Sequence, residues 1–386
     1  MKMIGRGCGM TAKSGKISAS RVLRLTIWAA AHFAVDFGCF LVLFGALKSA
    51  YADGGTAELQ TVTIGFLIYN VLAFGLQAAI GQLADERPAW RRRTGRGGIL
   101  LVAVSLLPAL IAIGLGITWM AWAAMILAAL GNAAFHVGAG RDVLVHSEGR
   151  MKENGIFVSS GALGVGLGTM LGGGLTGATL YWTFFAAGCL LSFLSICSWK
   201  YHLAGDTEGG TAAFHIAKER SFLAAVVLLL AAIVIRAFAG ANIPLAWERT
   251  GLLVLLPSAA SCLGKAAGGI AGDRFGAGRT GVWSLLVSLP LILFGGSSPV
   301  LSLAGILLFN MTMPVTLCAL ADLMPKHPGF AFGLTTLALL VGTAVTFFWA
   351  VPAHLAKLLL AVLILLAALC IWLTVKYRKE WDHERL

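Results

Sequence analysis

Two side chains four residues apart, His32 and Asp36, stand inside a long apolar block. That spacing puts both on one face of a helix, where imidazole and carboxylate can share a hydrogen bond and tune each other's hold on a proton. In apolar surroundings such a pair can pass a proton between compartments; it can equally tie its helix to a neighbour. Arg236 stands near the middle of another apolar block. A guanidinium there costs about 2.5 to 3.5 kcal/mol on insertion scales, so it calls for an anionic solute, or for a carboxylate such as Asp36 across the molecule. Its other reading is a long side chain reaching back to the membrane interface, and for Lys265, nearer a block end, that reading comes first. His136, beside Asn132 and ahead of Arg141 and Asp142, reads on spacing alone as a helix-end residue. Asn70, Gln77, Asn242 and Asn310 carry amides that either line a solute path or hydrogen-bond between helices.

A second set of polar residues is duplicated. One segment runs from Gly81 through Asp85, Glu86 and Arg87 into Arg91, Arg92, Arg93 and Arg96; the other runs from Gly269 through Asp273, Arg274 and Gly276 to Arg279. In both, glycine precedes aspartate by four, and the two aspartates lie close to half a chain apart. A carboxylate at a helix end can accept bonds from an arginine or from the N-terminus of a neighbouring helix, and so latch two bodies together. The expected gating set is Gly81, Asp85, Arg87 and Arg91 in the first copy, with Gly269, Asp273, Arg274, Gly276 and Arg279 in the second. The competing reading is a solvated loop charge that sets topology alone.

These residues are carried by a chain with 58% hydrophobic and 12% charged residues, where a soluble domain has roughly 25% charged. Blocks of this length cross a hydrocarbon core as helices, and in lipid a chain without alternating polarity must pair its backbone within each helix. Twelve spans are expected, at residues 25–47, 61–83, 98–116, 118–139, 155–177, 180–200, 221–245, 251–271, 281–297, 299–321, 329–350 and 355–375. Turn residues Gly114–Gly116 and Gly295–Pro299 separate the third span from the fourth and the ninth from the tenth. In this arrangement 24 of the 29 Lys and Arg fall on one side, and only Lys48, Arg249 and Lys357 on the other. The bias puts both termini in the cytoplasm. The expected organisation is a tail at 1–24, a six-helix bundle at 25–200, a polar linker at 201–220, a second bundle at 221–375 and a tail at 376–386.

Other classes find no support. The net charge of +12 is spread over block ends instead of forming one face, so no nucleic-acid partner is expected. Six cysteines lie in apolar blocks and Cys8 in the basic tail, with no CxxC pair, so neither a metal nor a disulfide framework is expected. The first block is too long for a signal peptide. No P-loop, GxSxG elbow or HExxH motif occurs, and no cofactor or enzymatic activity is expected.

The duplicated segments resemble the signature of the major facilitator superfamily, G-x-x-x-D-[RK]-x-G-[RK]-[RK]. The second copy follows it more closely; the first has Glu86, Pro88 and Ala89 where the pattern differs. A narrower resemblance is to the fosmidomycin-resistance-like efflux branch. His32 to Asp36 is similar to its first helix, and Asn132 to His136 to its FHP segment, with Val137 in place of proline. Gly161, Gly164, Gly166, Gly168, Gly172, Gly173 and Gly174 resemble the glycine-rich antiporter motif of drug exporters, with Thr169 where proline is usual. The resemblance implies an all-α integral membrane protein of twelve helices in two six-helix bundles. A monomer in the inner (plasma) membrane that moves a small organic solute by alternating access is expected, with proton coupling from the His32 and Asp36 pair and the direction of efflux from the narrower resemblance. It draws Asn132 and His136 into the site. Uptake of an organic anion with protons is the alternative within the class, and a non-transporting sensor or scaffold the alternative outside it.

Overall fold

In a computed structural model the structure describes residues 19–51, 56–201, 203, 220–247 and 250–384. Most of the expected tail 1–24 with Cys8, most of the linker 201–220, and Arg249 lie outside them. Among the described residues twelve helices are long and apolar enough to cross a membrane. They are α1 (Ala19–Leu47), α2 (Gln60–Glu86), α3 (Pro88–Leu115), α4 (Thr118–His146), α5 (Met151–Gly174) and α6 (Gly177–Lys200). Then follow α7 (Ser221–Ala241), α8 (Gly251–Phe275), α9 (Ala277–Phe294), α10 (Pro299–Leu323), α11 (Pro328–Phe348) and α12 (Ala353–Tyr377). The chain is a multi-pass membrane protein.

Each helix follows one of the expected spans, but some begin early. α3 starts at Pro88, ten residues before the apolar run, because arginine is a good helix former and Pro88 supplies the fixed backbone angle favoured in a first turn. Arg91 and Arg96 are buried there, so the segment expected as a basic loop is the packed first turns of a helix. The two close hairpins fall at their turn residues. Gly116 is left-handed at φ 66°, and Ser298 accepts from Leu301 N ahead of Pro299.

Several helices are locally irregular. Wider π turns occupy Val42–Leu47 of α1 and Val71–Gly75 of α2. α10 breaks at Met311, where Pro314 has no N–H for the Asn310 carbonyl. Large apolar side chains cover the outside, among them Trp182, Phe294 and Val300, each more than two-thirds exposed. Water would not tolerate that belt; lipid does.

The main core gathers around α1, with a second between α7, α9 and α12. α5 is the thinnest helix and packs on two sides. Gly164 and Gly168 lie against the backbone of α1, whereas Gly155 and Gly166 lie against α8. Without side chains in the way, the backbones approach closely and van der Waals contact replaces the hydrophobic drive that lipid removes. α2 approaches α11 in the same manner, with Gly81 on Gly329 and Gly333 on Ala78.

Candidate functional site

α1, α4 and α5 bring His32, Asp36, Asn132 and His136 into one cluster, each less than one-tenth exposed. His32 Nε2 lies 3.3 Å from Asp36 Oδ2, and His136 Nε2 lies 3.6 Å from Asp36 Oδ1. Asn132 Nδ2 donates to Asp36 Oδ1 at 2.9 Å. The far nitrogens of both rings face backbone carbonyls, His32 Nδ1 on Phe157 O at 2.7 Å and His136 Nδ1 on Asn132 O at 3.0 Å. A carbonyl only accepts, so each Nδ1 carries the hydrogen and each Nε2 is left to share a proton with the carboxylate. The two imidazoles meet edge to face at 4.5 Å, and Phe135 and Phe157 pack around His32. The helical spacing of His32 and Asp36 thus yields the contact it suggested, and His136 joins from α4.

The duplicated aspartates sit at matching places and act on opposite partners. Asp85, at the end of α2, accepts from Gly329 N and Phe330 N at the start of α11, at 3.1 and 2.9 Å. Asp273, at the end of α8, accepts from Met151 N and Lys152 N at the start of α5, at 2.7 and 2.9 Å. Both carboxylates therefore satisfy the unpaired N–H groups of a helix from the other half of the chain. Asp85 is buried and also receives Arg141 Nε at 2.7 Å; Asp273 is exposed. Arg91 donates to Asp85 O at 2.8 Å, so it braces the end of α2 through the backbone. Arg87, Arg274 and Arg279 are exposed, and none pairs with either aspartate among the described residues. Gly276 ends α8 at φ 89°, a conformation in which a side chain would be strained.

Arg236 differs from every other buried cation here. It is 4% exposed, its guanidinium carbon lies 5.6 Å from the centre of the Phe309 ring, and Nε and one terminal nitrogen have no hydrogen-bond partner among the described residues. The pairing with Asp36 raised from the sequence is not formed, because Asp36 is held by the two histidines and Asn132. Lys265 of α8 is half-buried, forms no ion pair among the described residues, and packs its backbone carbonyl against Gly155 of α5.

The amides divide. Asn70, Gln77 and Asn242 donate back to carbonyls of their own helices, at Phe66, Ala73 and Phe238. Asn310 also reaches Ser261 on α8 at 3.3 Å. Sequence reasoning names Arg141 and Gly161 but misses what they touch, Asp85 for the first and the His32 and Asp36 side chains for the second. The first stands next to a flagged histidine region, yet nothing in its spacing connects it to Asp85. A groove of about 680 Å³ runs along the outer side of α1 and α5 and includes none of these clustered polar residues.

No family model matches the sequence, and no curated protein does. Solved structures match over nearly the whole chain. The major facilitator superfamily transporter FucP in its outward conformation gives a TM-score of 0.69 at 12% identity, covering 92% of this chain and 99% of that one. The human organic anion transporter TETRAN gives 0.68 at 14% identity, with 92% and 100% covered. A variant of the E. coli fucose:proton symporter FucP gives 0.67 at 12% identity, with 92% and 99% covered. At these identities the likeness establishes the fold, which is the major facilitator arrangement.

Proposed function

We propose that this chain is a secondary active transporter of the major facilitator superfamily, rocking residues 25–200 against 221–375 to expose a small organic solute to one side and then the other. Two features support this reading. The aspartate caps join α2 to α11 and α8 to α5 with bonds that can form and break as a unit, as a two-state device requires. Between α1, α4 and α5, Asp36 with His32 and His136 supplies a site where a proton can be held away from bulk water, which would couple solute movement to a proton gradient. The observation that carries the proposal is the placing of one carboxylate between two imidazoles whose other nitrogens are already committed.

The charge bias puts the Asp85 and Asp273 end, with both termini, in the cytoplasm of a cell with this protein in its plasma membrane. The molecule works as a monomer, since each half supplies one cap for the other. Efflux is the proposed direction, from the likeness of the α1 and α4 motifs to the fosmidomycin-resistance-like branch. A second reading, uptake of an organic anion with protons, is favoured by the orphaned guanidinium of Arg236.

Reconstituted vesicles loaded with a pH-sensitive dye test the proposal against a panel of labelled organic anions and cations. Flux driven by an imposed pH gradient is expected for one charge class. In Asp36→Asn that drive is lost while gradient-free exchange of the same solute persists. Equal response to the gradient in wild type and Asp36→Asn would refute the coupling.

A further inference from the structure

We propose that His32, Asp36 and His136 form a binding site for a divalent transition-metal ion of the zinc type. The proposal concerns what the cluster can hold and stands apart from whether the chain transports.

The ligand atoms of the three residues lie within 4.8 Å of one another, with edges of 3.3 Å and 3.6 Å to the two carboxylate oxygens. Four-coordinate zinc with bonds of about 2.0 to 2.1 Å places neighbouring ligands roughly 3.3 Å apart. Both carboxylate edges are close to that spacing and the remaining ligand separation lies within 4.8 Å, so a small ring movement brings all three ligands onto one ion. Nδ1 of each histidine donates to a backbone carbonyl, of Phe157 and Asn132, which fixes the tautomer that turns the Nε2 lone pair inward. Those carbonyls are the outer partners that a metal-bound imidazole uses to hold its ring and raise its basicity. Two lone pairs and a carboxylate converging in a buried space repel one another unless a cation lies between them. A proton can bridge one gap at a time; a divalent ion engages all three ligands.

One further observation points to an occupant. Asn132, whose Nδ2 steadies Asp36, has its buried Oδ1 without a donor among the described residues. Gly161 of α5 faces the cluster so closely that a Cβ there would run into Asp36 Oδ2 and His32 Nε2. The missing side chain lets α5 close over the ligand atoms, so any added volume at position 161 must displace them. Two imidazoles with one carboxylate suit zinc, cobalt or manganese, whereas calcium and magnesium favour oxygen ligands alone. Cys39, though near, donates to Ala128 O and is not needed as a ligand.

The test is cobalt titration of the purified full chain in detergent, with no solute and no gradient. One equivalent of Co²⁺ is expected to give the visible absorption of a four-coordinate site, and Zn²⁺ to abolish it. Asp36→Asn and His136→Gln are expected to lose the band. Gly161→Ala keeps every ligand but displaces Asp36 Oδ2 and His32 Nε2, and is expected to weaken binding about tenfold or more, within the range that outer-sphere changes produce. His354→Gln, on the exposed start of α12, is expected to leave binding unchanged. If His136→Gln fails to fold, Gly161→Ala carries the comparison. No saturable band, or equal binding in wild type, Asp36→Asn and Gly161→Ala, would overturn the site. Because no flux is read, that failure leaves the transport proposal untouched, and a failed flux assay leaves the metal site untouched.

Discussion

Gly81 of α2 meets the carbonyl of Gly329 of α11 in the space where its Cβ would be. One helical turn further along α2, Asp85 reaches the N–H groups of Gly329 and Phe330. The glycine sets the approach that lets the carboxylate cap its partner, and Gly269 does the same for Asp273 by lying on Met151 and Gly155. This accounts physically for a glycine four residues before each aspartate.

Gly81→Val is therefore expected to separate α2 from α11 at this end without unfolding either helix. An overpacking penalty of about 1 to 3 kcal/mol falls only on the arrangement in which α2 and α11 touch, a shift in population of roughly 5- to 150-fold. Spin labels at Arg93 and Lys326, both exposed, read the separation by pulsed electron resonance. An unchanged distance distribution would contradict the close-approach argument.

The two caps should not respond alike to loss of charge. Asp85→Asn leaves Arg141 buried beside a neutral amide, and removing one partner of a buried pair costs about 3 to 5 kcal/mol. Asp273→Asn removes only an exposed cap charge, worth about 0.3 to 1 kcal/mol. Thermal unfolding in detergent should show a large drop for the first and a small one for the second. Arg141→Met added to Asp85→Asn should recover much of the loss; equal drops for the two single variants would dispose of the asymmetry.

The glycines of α5 make a third contrast. Gly164 and Gly173 lie nine positions apart in the same rich stretch, yet a Cβ at Gly164 would strike Phe33 O of α1 and one at Gly173 meets nothing within 4 Å among the described residues. Gly164→Leu is expected to cost about 1 to 3 kcal/mol, and Gly173→Leu within about 0.5 kcal/mol of nothing. Comparable thermal shifts for both would show that the stretch packs differently.

That contrast also marks what the sequence can carry. Hydropathy blocks and turn residues located all twelve helices, because lipid permits little else for such runs, and the glycine to aspartate spacing located both caps. Hydropathy placed the start of α3 too late, since Arg91 and Arg96 are helical and buried against backbone carbonyls, where polarity alone suggests a loop. Spacing within one helix found His32 with Asp36 but has no means of finding partners across the fold. Arg141 meets Asp85 across 56 positions, and Phe157 O meets His32 Nδ1 across 125. Nor can a count of glycines say which of them face α1, which face α8 and which face open space.

Arg236 offers the last test, because its two roles predict opposite signs. A buried guanidinium with unpaired N–H groups weakens the fold, and an uncharged side chain of similar length relieves that cost. Arg236→Met is therefore expected to raise the thermal midpoint, by about 1 to 3 kcal/mol in stability, since methionine can still lie on the Phe309 ring. If the guanidinium is retained to hold an anionic group, the same variant loses binding of anionic solutes while cationic ones are unaffected. Activity and stability would then move in opposite directions, as they do where a binding site carries strain that the fold must absorb. A variant that is less stable than wild type would mean that Arg236 already has a compensating partner, and the anion reading would fail with it.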